Sequence, residues 1–140
     1  MDRQVVEQKL ESLRRCLHRV HTRCPADLTV LETDFDLQDI VALNLSRAVQ
    51  LCVDIAAHCI ATAELPAPAT MGQTFGLLAQ VGIIDAELAA RLKKAVGFRN
   101  IAMHNYDAID WRIVHSIVQH NLQDFSNFAR AVMTALEARS

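Results

Sequence analysis

The sequence predicts an all-α protein, an antiparallel bundle of about five helices. Two observations carry the prediction. Apolar residues recur at alternating spacings of three and four along most of the chain, which puts them on one face of a helix turning about 100° per residue. No segment alternates with period two for long enough to make a strand, so the stripes must bury themselves against one another. The 140 residues are expected to form one domain, 1–140, and 51% apolar content can supply its core.

Taken in order, Val6, Leu10, Leu13, Leu17 and Val20 form the first stripe, which Pro25 stops. A longer stripe starts at Leu37 and runs through Val41, Asn44, Ala48, Leu51, Ile55 and Cys59, until Leu65-Pro66-Ala67-Pro68 breaks it. Thr70 and Gln73 have capping-box spacing, predicting a short helix from Met71 to about Gln80 that Gly82 ends. Asp85 can cap the next helix, whose Leu88, Leu92 and Val96 share a face leading into Arg99. Asp110 caps the last, with Ile109 and Val114 as a hydrophobic staple; it is expected to run unbroken through Trp111, Val114, Val118, Leu122, Phe125, Ala129, Val132 and Leu136.

Composition narrows the function classes. The net charge is only −2, so any nucleic-acid contact must be local. Four cysteines, at 16, 24, 52 and 59, show neither C-x-x-C nor zinc spacing, which points to reduced thiols and a cytoplasmic protein. No signal peptide is read at the N-terminus, and no run is expected to reach the length of a membrane span. There is no Gly-rich phosphate loop, no H-E-x-x-H and no pair of carboxylates suited to a metal, so neither metal nor cofactor is expected.

The chemistry is concentrated in Arg99-Asn100-Ile101-Ala102-Met103-His104-Asn105-Tyr106. An arginine keeps its charge at any working pH and clamps a phosphate through two parallel hydrogen bonds, and an imidazole gives or takes a proton near neutrality. RNA self-cleavage needs both. On an unbroken helix Arg99 and His104 would stand about 140° apart, too far round to act on one phosphate as neighbours. Two remedies are open. Asn105 in the left-handed conformation could end the helix near His104, with extended chain letting Tyr106 share its side and Gly97 offering a second point of distortion. Alternatively, a two-fold dimer could bring an arginine and a histidine from each subunit to one cleft.

The spacing R-N-x-x-x-H-x-Y resembles the signature of the HEPN superfamily and its HepT toxin branch. The similarity extends from about residue 37 to residue 132, through LNLSRAVQLCVDIAAHCIA, a Pro-containing loop, TFGLLAQVGIID, LAARLKKAVGFRNIAMHNYDAID and a terminal amphipathic helix. Phe98-Arg99-Asn100 and His104-Asn105-Tyr106 are in register. The resemblance implies a HEPN-like fold and a metal-independent endoribonuclease toxin whose 2′-hydroxyl attack leaves a 2′,3′-cyclic phosphate. Arg99 and His104 would be catalytic and Asn100 supporting. It also implies a minimal nucleotidyltransferase antitoxin as partner, which transfers AMP to Tyr106. On chemistry alone, stacking on a base or hydrogen-bonding the phosphate would suit that phenol.

Other residues carry weaker expectations. Asn44, on an apolar stripe, needs partners and should either tie two helices together or orient the active-site pair. Asp54 and His58 read as a solvated i,i+4 pair, although the resemblance makes an aspartate at 54 usual. Arg14, Arg15, Arg19 and Arg23, interleaved with His18 and His21, form the one basic cluster, either a solvated face or a surface for RNA phosphate or antitoxin. His115 and His120 read as surface residues. Two non-catalytic readings stay open at this level: a helical binding subunit of a nucleotidyltransferase complex, and a dimerising scaffold in which the octet is a polar clamp.

Overall fold

The computed structural model describes residues 3–138; residues 1, 2, 139 and 140 of the expected domain lie outside the described residues. It is helical throughout, in the order α1 (Arg3–Arg23), α2 (Leu28–Thr33), α3 (Phe35–Thr62), α4 (Met71–Gln80), α5 (Ala86–His104), α6 (Trp111–Ser116) and α7 (Leu122–Ala138). A single 3-10 turn, Tyr106–Ala108, joins α5 to α6, and a π turn, Ile117–Asn121, joins α6 to α7. The last helix is therefore not continuous, contrary to its sequence pattern. One wide turn lets in an extra residue without leaving the apolar stripe, and Val114, Val118, Phe125, Phe128, Val132 and Leu136 are all buried.

α3 is the axis of the fold and packs against α1, α4, α5 and α7. Its stripe is wider than the sequence suggested, because Leu45, Val49, Cys52, Ala56 and Ile60 are buried as well as Val41, Ala48, Ile55 and Cys59. The same breadth makes α3 long and apolar enough to cross a membrane by composition, with a mean hydropathy of 1.5 over its best 18 residues, which corrects the sequence expectation. Burial of 61% of that stretch inside the bundle identifies it as a core helix. Across from it, the rings of Phe75 (α4) and Phe128 (α7) meet edge to face at 5.9 Å, a geometry that aromatic quadrupoles favour.

The helix ends follow local chemistry. Asp34, Thr70 and Asp85 accept the backbone N–H three residues on, at 3.1, 3.2 and 2.7 Å, and so cap α3, α4 and α5. Gln73 completes the α4 cap by accepting the Ala69 N–H at 2.9 Å. Gly82 leaves α4 with φ +80°, where a side chain would be strained. Asp27 caps a helix not anticipated, the six-residue α2, whose Leu31 is fully buried. His115, expected at the surface, is half-buried, its Nε2 lying 3.0 Å from the Pro25 carbonyl and 3.1 Å from that of Ala26. It fastens α6 to the turn between α1 and α2.

Candidate active site

The octet is set up by the inner face of α5. Leu88, Leu92, Val96 and Phe98 are buried, so Arg99 and Asn100 emerge where the helix leaves the core. α5 continues without a break through Gly97 to His104. Arg99 is half-buried, and its Nη1 donates to the neighbouring Asn100 Oδ1 at 3.2 Å. His104, in the last position of the helix, is exposed, as are Ile101 and Met103 on the same two turns.

The exit from α5 differs from the sequence expectation. Asn105 closes the helix, its N–H bonding the Ile101 carbonyl at 2.8 Å, but at φ −152° and ψ 65° it is not left-handed. The chain then tightens into the 3-10 turn, closed by Ala108 N–H to Asn105 carbonyl at 2.9 Å and Ile109 N–H to Tyr106 carbonyl at 3.1 Å. Neither kink at Gly97 nor left-handed cap brings His104 round to Arg99. The helical angle of about 140° between them stands within one chain.

Tyr106 is anchored twice. Its ring packs against Trp111 at 6.0 Å between centroids, and its hydroxyl donates to Asp39 Oδ1 on α3 at 2.6 Å. Burial first, then the hydrogen bond and charge of Asp39, hold the phenol well above the ordinary tyrosine range. The residue is still 38% exposed. Asp39 is the neighbour of the octet that sequence reasoning missed. The local hint is an acid on α3 flanked, four residues to each side, by the outward-facing Phe35 and Leu43.

Other expected site residues lie elsewhere. Asn44 is buried, but its Nδ2 donates at 2.8 Å to the Ile40 carbonyl of its own helix, so it neither ties two helices nor reaches the octet, and its Oδ1 has no partner. Asp54 faces α1, accepting from Gln50 at 2.9 Å and pairing with Lys9 at 3.7 Å. Of the basic cluster, Arg14 and Arg15 share Glu11, at 2.7 and 3.7 Å, while Arg19 and Arg23 are exposed on α1. The four cysteines are free thiols, and burial pushes those of Cys16, Cys24 and Cys52 upward.

A family model described as "Ribonuclease HepT-like" matches residues 7–132, from within α1 to α7. The chain belongs to the HepT-like family. The match reaches into the first helix, ahead of the stretch from about residue 37 that carries the resemblance in the sequence. Among HepT-like relatives, the "mRNA nuclease HepT" of Shewanella oneidensis is 40% identical over 124 residues, covering 89% of this chain and 92% of that protein. The "tRNA nuclease HepT" of Aphanizomenon flos-aquae is 26% identical over 132 residues, covering 94% and 90%. A solved structure described as the tri-AMPylated Shewanella oneidensis HEPN toxin in complex with MNT antitoxin superposes with a TM-score of 0.88 at 37% identity, covering 96% of this chain and 99% of that one. The all-α bundle expected from the apolar stripes, and the HEPN-like fold implied by the resemblance, match the fold of that HEPN toxin.

Proposed function

We propose that this chain is the toxin of a toxin–antitoxin pair, a metal-independent endoribonuclease of the cytoplasm that is silenced when a nucleotidyltransferase antitoxin transfers AMP to Tyr106. The observation that carries the reading is the terminus of α5, where a half-buried arginine, an exposed histidine and a partly exposed phenol succeed one another within eight residues of a HepT-like chain. His104 takes or returns a proton at the ribose 2′-hydroxyl or the leaving 5′-oxygen. Arg99 stabilises the added charge of the phosphorane-like transition state, with Asn100 holding the guanidinium.

The functional unit is a homodimer. A continuous α5 keeps the two groups apart within a chain, so one cleft must be composed from two octets across a two-fold axis. Exposed Ile101 and Met103 within the octet and Ile113 beyond it, at 44%, 58% and 56%, supply apolar surface for that contact. AMP on Tyr106 would place a phosphodiester where RNA phosphate should bind and repel the substrate. The names of the relatives, nucleases that act on mRNA and tRNA and a toxin carrying AMP beside its MNT antitoxin, support both halves of the reading.

Purified protein tests it. RNA should be cut in the presence of EDTA, leaving 2′,3′-cyclic phosphate ends, and Arg99→Ala and His104→Ala should each abolish cleavage with native circular dichroism. Near wild-type cleavage by either variant would overturn the assignment. Incubation with an MNT-type nucleotidyltransferase and ATP should add AMP mass to the peptide containing Tyr106.

A further inference from the structure

We propose that Asp39 is the base that takes the Tyr106 proton when this hydroxyl attacks the α-phosphate of a nucleoside triphosphate. The inference rests on the reading of Tyr106 as the AMP acceptor and adds the residue that makes the acceptor nucleophilic. The O–H···O contact of 2.6 Å falls in the short range of hydrogen bonds to an ionised acceptor. Among the described residues, the ion pairs of the structure leave the Asp39 carboxylate uncommitted to any lysine, arginine or histidine. Its charge is therefore free to receive a proton.

Geometry also orients the nucleophile. With its hydrogen directed at Asp39 and its ring against Trp111, the phenol turns an oxygen lone pair away from α3, on a residue that is 38% exposed. Burial and the carboxylate keep the phenol protonated at neutral pH, so free tyrosinate is scarce and the proton has to leave during attack. In the step, the Oη–Pα bond forms and the bridging bond between the α- and β-phosphates breaks. Pyrophosphate leaves with its electron pair, and the phenolic proton passes to Asp39 and on to solvent. Afterwards the ester oxygen has no hydrogen to donate, and the new phosphodiester faces a recharged carboxylate. Repulsion moves the modified ring off α3.

The test is AMP transfer to the full chain by an MNT-type nucleotidyltransferase, with radiolabelled ATP. Asp39→Asn keeps an oxygen that can accept the phenol hydrogen but cannot keep the proton. It should lower kcat for transfer by about 100-fold or more, the contribution of a positioned general base, with KM for ATP unchanged and the deficit narrowing as pH rises. Replacing Tyr106 with 3,5-difluorotyrosine, a stronger acid, should restore part of the rate in that variant. Transfer at the wild-type rate in Asp39→Asn overturns the inference and leaves the acceptor reading intact. A persistent loss that the fluorinated phenol does not relieve also overturns it, by reducing Asp39 to a positioning contact. Wild-type protein that takes up no label at Tyr106 overturns the acceptor reading and this inference together.

Discussion

Arg91 on α5 donates through Nε to Asp124 Oδ1 on α7 at 3.0 Å, and the carboxylate side chain is only 13% exposed. This pair joins the helix that carries the octet to the C-terminal helix across a groove of about 640 Å³ that both residues line. Partial burial places it above the usual surface ion pair without incurring the full desolvation penalty of a core charge. Asp124→Ala should cost about 1 kcal/mol in chemical denaturation, and a double-mutant cycle with Arg91→Ala should return a coupling of about 0.5–1 kcal/mol. Additive single variants would show that the two helices are held by apolar packing alone.

A composite cleft makes a mixing prediction. Arg99→Ala and His104→Ala proteins, each inactive alone, should regain partial RNA cleavage when co-refolded, because a mixed dimer keeps one arginine and one histidine in the shared cleft. Light scattering should report a dimer throughout. Arg99→Lys should recover little activity, since a point charge cannot reproduce the two-pronged clamp on phosphate.

Tyr106 is the only tyrosine, so its ionisation can be followed by absorbance without interference. The midpoint should lie above the ordinary value of 10.0 and fall toward it in Asp39→Asn. An acid whose folded pKa exceeds its unfolded one stabilises the fold while protonated. The benefit is complete below the unfolded pKa and is lost as pH rises through the folded one. Stability should therefore decline above about pH 10, less steeply in Tyr106→Phe. Buried Cys52, likewise held high by burial, should start a similar decline from its ordinary 9.0.

The aromatic contact between α4 and α7 sets the largest expected mutational cost. Phe128 is fully buried against Phe75, and Phe128→Ala should lose about 3–5 kcal/mol through lost transfer energy and the cavity left behind. Thermal or urea unfolding measures this directly. Asn44→Leu should behave oppositely, neutral or slightly stabilising, because it removes a buried amide oxygen that has no partner.

What was legible in the sequence was local. Thr70, Asp85 and Asp110 announce helix starts because a cap acts within three residues, and Gly82 announces a stop because few residues accept its backbone. Six residues of α2 are too few to display a helical period, and the π turn changes phase without changing composition. The octet could be read as a candidate site because its residues are neighbours in the chain. Asp39 could not, since its partner lies 67 positions away, and His115 was misplaced for the same reason, its carbonyl contacts being 90 and 89 positions distant.

That separation of Asp39 from Tyr106 has a bearing on the life of the chain before it is a folded toxin. A nascent or unfolded polypeptide holds the tyrosine without its carboxylate, because only docking of α5 on α3 brings them together, and contacts so distant in sequence close late and at an entropic cost. The same docking fixes the helix that presents Arg99 and His104. On the proposed reading, a docked single chain already presents the antidote's target, whereas its capacity for harm waits until two such chains pair.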